Sequence, residues 1–304
     1  MELARAASVL GARYRAGRPS ASGASPQEHL AYATVRAPAT HAALGQVLQE
    51  LRTRWPALDP HSALDLGAGP GTSAWAATDV FPELEQVTCV EHQPGLVRLG
   101  RRVCARGRHV ALRQAVWKAV DLRRAALSRH DLVLAAYTLG ELDAAARRQL
   151  VGRAWRAAAH ALVLVEPGTP AGFDVLRVLR EDLVGDGAHV VAPCPHAEPC
   201  PLAAGDWCHF AARVQRSAAH RRAKGGRLGH EDEKFAYLVL ARQPVPRVGG
   251  RILRHPRKRS GHVHLELCTP AGQQHAVVSK KDGAAWRRVR QAAWGDAWDD
   301  VSAS

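Results

Sequence analysis

The chain has 304 residues, 46% of them hydrophobic and 23% charged, and carries 42 Lys and Arg against 28 Asp and Glu, a net charge of +14 at pH 7. That composition is globular and excludes wholesale disorder, and no apolar run approaches the roughly 20 residues that a membrane-spanning helix needs. The charge is uneven: residues 1–208 hold 23 basic and 20 acidic side chains, residues 209–290 hold 19 and 5, and residues 291–304 add three Asp.

In chain order, the first sixty residues read as helical, with a loop at residues 19–26 and a helix near residues 40–55 closed by Pro56. The pattern then changes to short apolar runs alternating with amphipathic stretches. Strands are expected at residues 63–66, 87–90, 111–115, 131–136 and 161–165, and helices from Thr72 and over residues 94–106 and 144–159. Strand–helix–strand spacing of this kind implies parallel crossovers and a doubly wound sheet. Beyond Phe173 a helix at residues 174–183 leads into a Pro- and Cys-rich stretch at residues 193–208 that follows neither period. A late strand is expected at residues 235–240 and a small antiparallel unit over residues 251–279, with no internal repeat.

LDLGAGPG at residues 64–71 follows a strand and opens a helix, the context in which a glycine loop has meaning. Gly67, Gly69 and Gly71 let a ligand lie against the main chain, and Glu91, at the tip of the next strand, suits the two hydroxyls of a ribose. NAD, FAD and S-adenosylmethionine all remain compatible with that pairing. Asp65 would repel a pyrophosphate but suits the cationic sulfonium and ammonium of S-adenosylmethionine, and Pro70 stiffens the turn. The segment resembles motif I of class I methyltransferases. Over residues 60–170 that resemblance implies a seven-stranded sheet with a reversed hairpin at its end, and a cofactor held by Asp65, Gly67, Ala68, Gly69, Pro70, Gly71, Thr72, Glu91 and His92. The place where amine methyltransferases carry an Asn/Asp-Pro-Pro-aromatic motif reads AAYTLGEL at residues 135–142, so the catalytic residues are unknown.

Six cysteines are too few for a disulfide scaffold in a chain this long, and a reducing compartment is expected. Cys194, Cys200, Cys208 and Cys268 follow the spacing C-x5-C-x7-C-x59-C. Four thiolates suit zinc or an iron–sulfur cluster. Paired C-x2-4-C knuckles are absent and prolines follow two of the cysteines, which favours a cubane; His196 and His209 keep a zinc site open as the rival. Cys89 and Cys104 read as packing residues.

CPHAEPCPL at residues 194–202, DWCHF at 206–210, EDEKFAYLVL at 231–240, ARYR at 12–15, VRAPATHAAL at 35–44, GHVHLELC at 261–268, and VSKKDG with WGD near residues 278–296 together resemble the methyltransferase-like proteins of the mitochondrial small ribosomal subunit and their bacterial relatives. The resemblance covers nearly the whole chain. It implies a class I methyltransferase (Rossmann-like) α/β fold in four parts: an N-terminal helical segment (1–59), an S-adenosylmethionine-binding unit (60–190), a Cys-rich cluster-binding insertion (191–233), and the last strands with a basic C-terminal extension (234–304). It further implies a 4Fe-4S cluster on Cys194, Cys200, Cys208 and Cys268, with zinc as the alternative, and small-subunit rRNA as partner.

The basic block points independently to a polyanion, the alternative being a solvated surface in an Arg-rich chain. The expected phosphate contacts are Arg213, Arg216, Arg221, Arg222, Lys224, Arg254, Arg257, Lys258, Arg259, Lys280 and Lys281, on a platform pinned by the cluster. The N-terminal stretch lacks the apolar core of a secretory signal and faintly resembles an organellar presequence. Because residues 12–15 and 35–44 already match the family body, a bacterial cytoplasmic protein is expected, monomeric when free. The functional expectation is an rRNA-binding assembly or translation factor that binds S-adenosylmethionine. The alternatives are an active rRNA methyltransferase and a small-molecule methyltransferase with a structural zinc site.

Overall fold

The computed structural model describes residues 5–6, 8–9, 25–224 and 228–299. The expected loop at residues 19–26 and the segment 12–15 lie almost wholly outside these. Helix α1 (Pro26–Ala31) starts from a Ser25–Glu28 capping box, passes through a π-helical turn at Tyr32–Arg36, and continues as α2 (Ala37–Arg54). Ala43, Leu44, Val47, Leu48 and Leu51 recur at helical spacing on α2 and form its fully buried stripe.

Next come β1 (Ser62–Leu66), α3 (Thr72–Val80), β2 (Gln86–Val90), α4 (Pro94–Cys104), α5 (Val110–Arg113), β3 (Val116–Lys118) and β4 (His130–Ala136). The chain proceeds through α6 (Ala144–Ala157), β5 (Ala158–Pro167), α7 (Pro170–Gly185), β6 (His189–Ala192), β7 (Phe210–Gln215), α8 (Ala218–Lys224) and β8 (His230–Ala241). The sheet order is β3-β2-β1-β4-β5-β8-β6, with β1 to β5 parallel and β8 antiparallel to its neighbours. This is the class I methyltransferase arrangement, a Rossmann-like α/β sheet ending in a reversed strand. Its central strands, covered on both faces, read as near-continuous apolar runs such as Leu132–Ala136.

Three local differences from expectation have physical causes. The strand expected at residues 111–115 is instead helix α5, whose first turn is capped when the His109 ring accepts the Ala111 N–H; the strand follows it, with Trp117 opposite Cys89. Helix α7 begins four residues before expectation because Thr169 caps it and Pro170 takes the first helical position. The sheet has eight strands rather than seven. β8 is long enough for its second half to lie between β5 and β6 while its first half pairs with β7.

The C-terminal residues form a second sheet from β9 (Arg251–Ile252), β10 (Arg257–Arg259), β11 (His262–Thr269) and β12 (Gly272–Ser279), followed by a 3-10 turn (Lys280–Asp282) and α9 (Gly283–Val289). Alternation along β11 turns Val263, Leu265 and Leu267 inward onto Ile252, Val278, Val289 and Trp298, leaving the opposite face polar.

Candidate functional site

The glycine loop joins β1 to α3. Gly67, Gly69 and Gly71 all have positive φ, and Gly67 has a second constraint: a Cβ there would lie 2.3 Å from Thr138 Oγ1. The amides of Gly67 and Ala68 donate to the Val90 carbonyl, locking the loop to the end of β2. Glu91, almost fully buried, accepts from the Gly69 N–H at 3.0 Å and the Gln93 N–H at 2.8 Å. His92 Nδ1 lies 3.3 Å from Glu91, and that hydrogen bond holds the imidazole pKa above its usual value.

A cleft opens in front of this loop at the carboxyl ends of the parallel strands, where open α/β sheets bind ligands. Gly67, Gly69, Glu91 and His92 line it. Asp65, Ala68, Pro70, Gly71 and Thr72 stand behind it, buried, and shape the turn. Asp65 is 1% exposed, and among the described residues neither of its oxygens has a partner in good hydrogen-bond geometry. Burial pushes its pKa to about 7, while Ser73 and the Ala74 amide offset only part of that shift and Glu91 adds to it. Asp121, Tyr32, Tyr137 and Glu141 also line the cleft and were not anticipated. Asp121 was hidden by the misplaced third strand. Tyr137 carries the one positive φ of a non-glycine among the described residues, the signal of a constrained turn directly after β4.

The four cysteines converge. Cys194 and Cys200 lie on the loop after β6, Cys208 just before β7 and Cys268 on β11, and all four line one pocket enclosing about 610 Å³ of atom-free space, open mouth included. Cys268 is buried and the other three are half-buried. Burial, reinforced by the other thiols, raises Cys268 to about 12 and moves Cys194 and Cys208 upward as well. Among the described residues, no three His, Cys, Asp or Glu groups are arranged to hold a metal ion. A single tetrahedral zinc would draw its sulfurs to about 3.8 Å of one another, given a Zn–S bond of about 2.3 Å.

Two buried arginines flank this pocket. Arg180, on α7, donates to the carbonyls of His196 at 2.9 Å and Glu198 at 2.7 Å, gripping the loop between Cys194 and Cys200. Arg251, opposite Cys268 in the sheet, donates to the carbonyls of Pro193 and Gly295, each at 2.9 Å, and to Glu50 of α2 at 2.7 Å. His196 Nδ1 faces the Glu198 carbonyl at 3.1 Å, which places its proton there and leaves Nε2, 3.4 Å from Cys268 Sγ, as an acceptor. His209 is stacked on Trp207 and edge-on to Trp294, a packing role outside the pocket.

The expected phosphate contacts divide into two groups. Arg213 pairs with Asp232, Arg216 and Lys224 with Glu231, Arg254 with Asp206 and Arg257 with Glu266. Lys258 donates to the Arg290 carbonyl, and the half-buried Arg221 to that of Arg216. Arg222, Arg259, Lys280 and Lys281 are exposed.

A family model described as "Mitochondrial small ribosomal subunit Rsm22" matches residues 26–299. The chain is 32% identical over 296 residues to the human ribosome assembly protein METTL17, mitochondrial, covering 88% of this chain and 61% of that protein. It is 28% identical over 322 aligned positions to the mitochondrial Rsm22-cox11 tandem protein 2 of Schizosaccharomyces pombe, covering 88% and 42%. The chain thus spans about three fifths and two fifths of these relatives' lengths. Among solved structures, magnesium protoporphyrin IX methyltransferase from Synechocystis is similar at 11% identity and TM-score 0.45, covering 76% of this chain and 90% of that one. Precorrin-6y C5,15-methyltransferase from Geobacter metallireducens is similar at 15% identity and TM-score 0.42, covering 65% and 86%. The expected cytoplasmic placement is corrected by these matches, since the family and its human and yeast relatives are described as mitochondrial. Matched over nearly its whole length, the chain belongs to the Rsm22 family of the mitochondrial small ribosomal subunit.

Proposed function

We propose that this chain is a small-subunit assembly factor of mitochondria that binds S-adenosylmethionine in the cleft and a 4Fe-4S cluster in the cysteine pocket, and that docks on rRNA. The observation that carries this reading is the meeting of four cysteines from distant parts of the chain in one pocket between the Rossmann-like sheet and the C-terminal sheet. A cluster distributes its thiolates over different irons, so it accepts a wider donor set than one zinc ion does. When bound, it supplies four iron–thiolate bonds that staple the loop at residues 194–208 to β11. Arg180 and Arg251 then serve twice, holding that loop in place and setting positive charge beside the thiolates.

In the cleft, Glu91 is placed for a ribose and Asp65 supplies buried negative charge behind the loop for a sulfonium. Asp121, just beyond β3, is placed to accept from an adenine amine.

Anaerobic purification with metal analysis tests the cluster: about four irons per chain and visible absorption are expected, and one zinc per chain overturns it. Cys208→Ser should lose both that absorption and RNA binding. Tyr137 and Glu141 at the cleft keep methyl transfer in view, and mapping of small-subunit rRNA methylation in a deletion strain tests it. A site lost on deletion and restored by wild type but not by Asp65→Ala assigns an enzyme; no lost site assigns a binding factor.

A further inference from the structure

The basic block is not one surface. On the β7–β8 side, Glu231, Asp232 and Glu233 engage Arg216, Lys224, Arg213 and Arg36, so most of that charge is neutralised internally. The outer face of the C-terminal sheet is different. Register places Arg257 beside His264 and Arg259 beside His262, and strand alternation puts all four on the face opposite the apolar core. His275 joins them from β12: His264 Nδ1 lies 3.1 Å from His275 Nε2, and the His262 and His264 rings are 5.0 Å apart. The carboxylate within this face is Glu266, which Arg257 engages at 3.1 Å. Lys280 and Lys281 follow at the end of β12, where the Asp282 carboxylate is occupied in capping Ser279.

Three imidazoles and two permanently charged guanidiniums crowd this face; desolvation, and then repulsion from His262, His275, Arg257 and Arg259, holds the His264 pKa below its usual value. A polyanion relieves that repulsion. The strands present the cations in rows, which suits a chain of phosphates better than a single anion, and β10, β11 and β12 carry no Phe, Tyr or Trp.

We propose that this face, built from Arg257, Arg259, His262, His264 and His275, docks the sugar-phosphate backbone of RNA, and that histidine protonation strengthens the docking. The proposal rests on the rRNA-binding reading above and narrows it to one surface. β11 links this face to the cysteine pocket, with Cys268 four residues from His264 on the same side of the strand, about 14 Å along it at about 3.4 Å per residue. Phosphates stabilise the imidazolium form, so binding takes up protons, and affinity rises as pH falls through the histidine range.

The test is fluorescence anisotropy of the full chain, as purified anaerobically, with a labelled small-subunit rRNA fragment, from about pH 8 to about pH 6 at several salt concentrations. Wild type should tighten about tenfold on acidification, with a steeper salt dependence at the lower pH. The triple variant His262→Gln, His264→Gln, His275→Gln should keep its affinity at the higher pH and lose the pH response. Arg257→Ala with Arg259→Ala should reduce the salt slope by about 1 to 2. Wild-type pH response in the triple variant, or an unchanged slope in the double, overturns the proposal while leaving RNA binding standing. Failure of wild type to bind the fragment at any pH overturns both.

Discussion

Asp65 has its carboxylate buried behind the glycine loop with no well-formed hydrogen bond among the described residues, and burial, only partly offset by Ser73 and the Ala74 amide, pushes its pKa up to about 7. A folded-state pKa above the unfolded value of about 3.9 means that the native chain binds the extra proton between those two values. The residue therefore costs little stability below about pH 4 and an increasing amount as pH rises toward 7, where the penalty is fully present. Asp65→Asn should stabilise the protein by a few kcal/mol at neutral pH and flatten denaturation midpoints measured between about pH 4 and 7, leaving the similar slope from buried Glu166 in place. The same variant should lose S-adenosylmethionine binding. If it is no more stable than wild type at pH 7, the carboxylate is not strained by burial. A residue that costs stability where a cation is expected to sit is the signature of a site organised for ligand rather than for folding.

At the scale of elements, the glycine loop and Glu91 were legible because their meaning is local: a strand, a tight turn, a helix, and an acid at the next strand tip. The rest of the cleft was not. Tyr32 reaches it from a π-helical turn that precedes the sheet altogether, and Asp121 depends on a three-residue strand too short to show a period. The cysteine spacing suggested one centre, but the two arginines beside it carry no sequence mark, since each is defined by carbonyls that only the fold brings near. The tightness of the loop against the turn after β4 gives a further prediction. Gly67→Ala forces a Cβ to 2.3 Å from Thr138 Oγ1 at φ +70 and should cost roughly 2 kcal/mol in a denaturation series. In a Thr138→Ala background, which removes Oγ1 and Cγ2 but keeps the Cβ at 3.0 Å, the added cost should fall to about 1 kcal/mol, owed mainly to backbone conformation. Equal costs in both backgrounds would mean that the steric contact is not what requires glycine.

Across the whole molecule, two sheets with separate apolar cores must behave as one body if a cluster is to sit between them. The polar ties at that junction centre on Arg251, whose guanidinium reaches the loop before Cys194, helix α2 through Glu50, and the C-terminal segment at Gly295. Its side chain is 2% exposed, and removing one member of a buried pair of this kind typically costs about 3 to 5 kcal/mol. Arg251→Met keeps most of the volume and deletes all three ties, leaving the Arg254–Asp206 pair and the His196–Cys268 contact between the sheet and the cysteine loop. Calorimetry of wild type should show one cooperative transition. Arg251→Met should split it, with the C-terminal sheet melting first. Its near-parallel loss of the cysteine-pocket absorption would show that the pocket needs both sheets in register. A single transition, merely lowered, would place the coupling in the apolar contacts instead and remove Arg251 from the account of how the cysteines are held together.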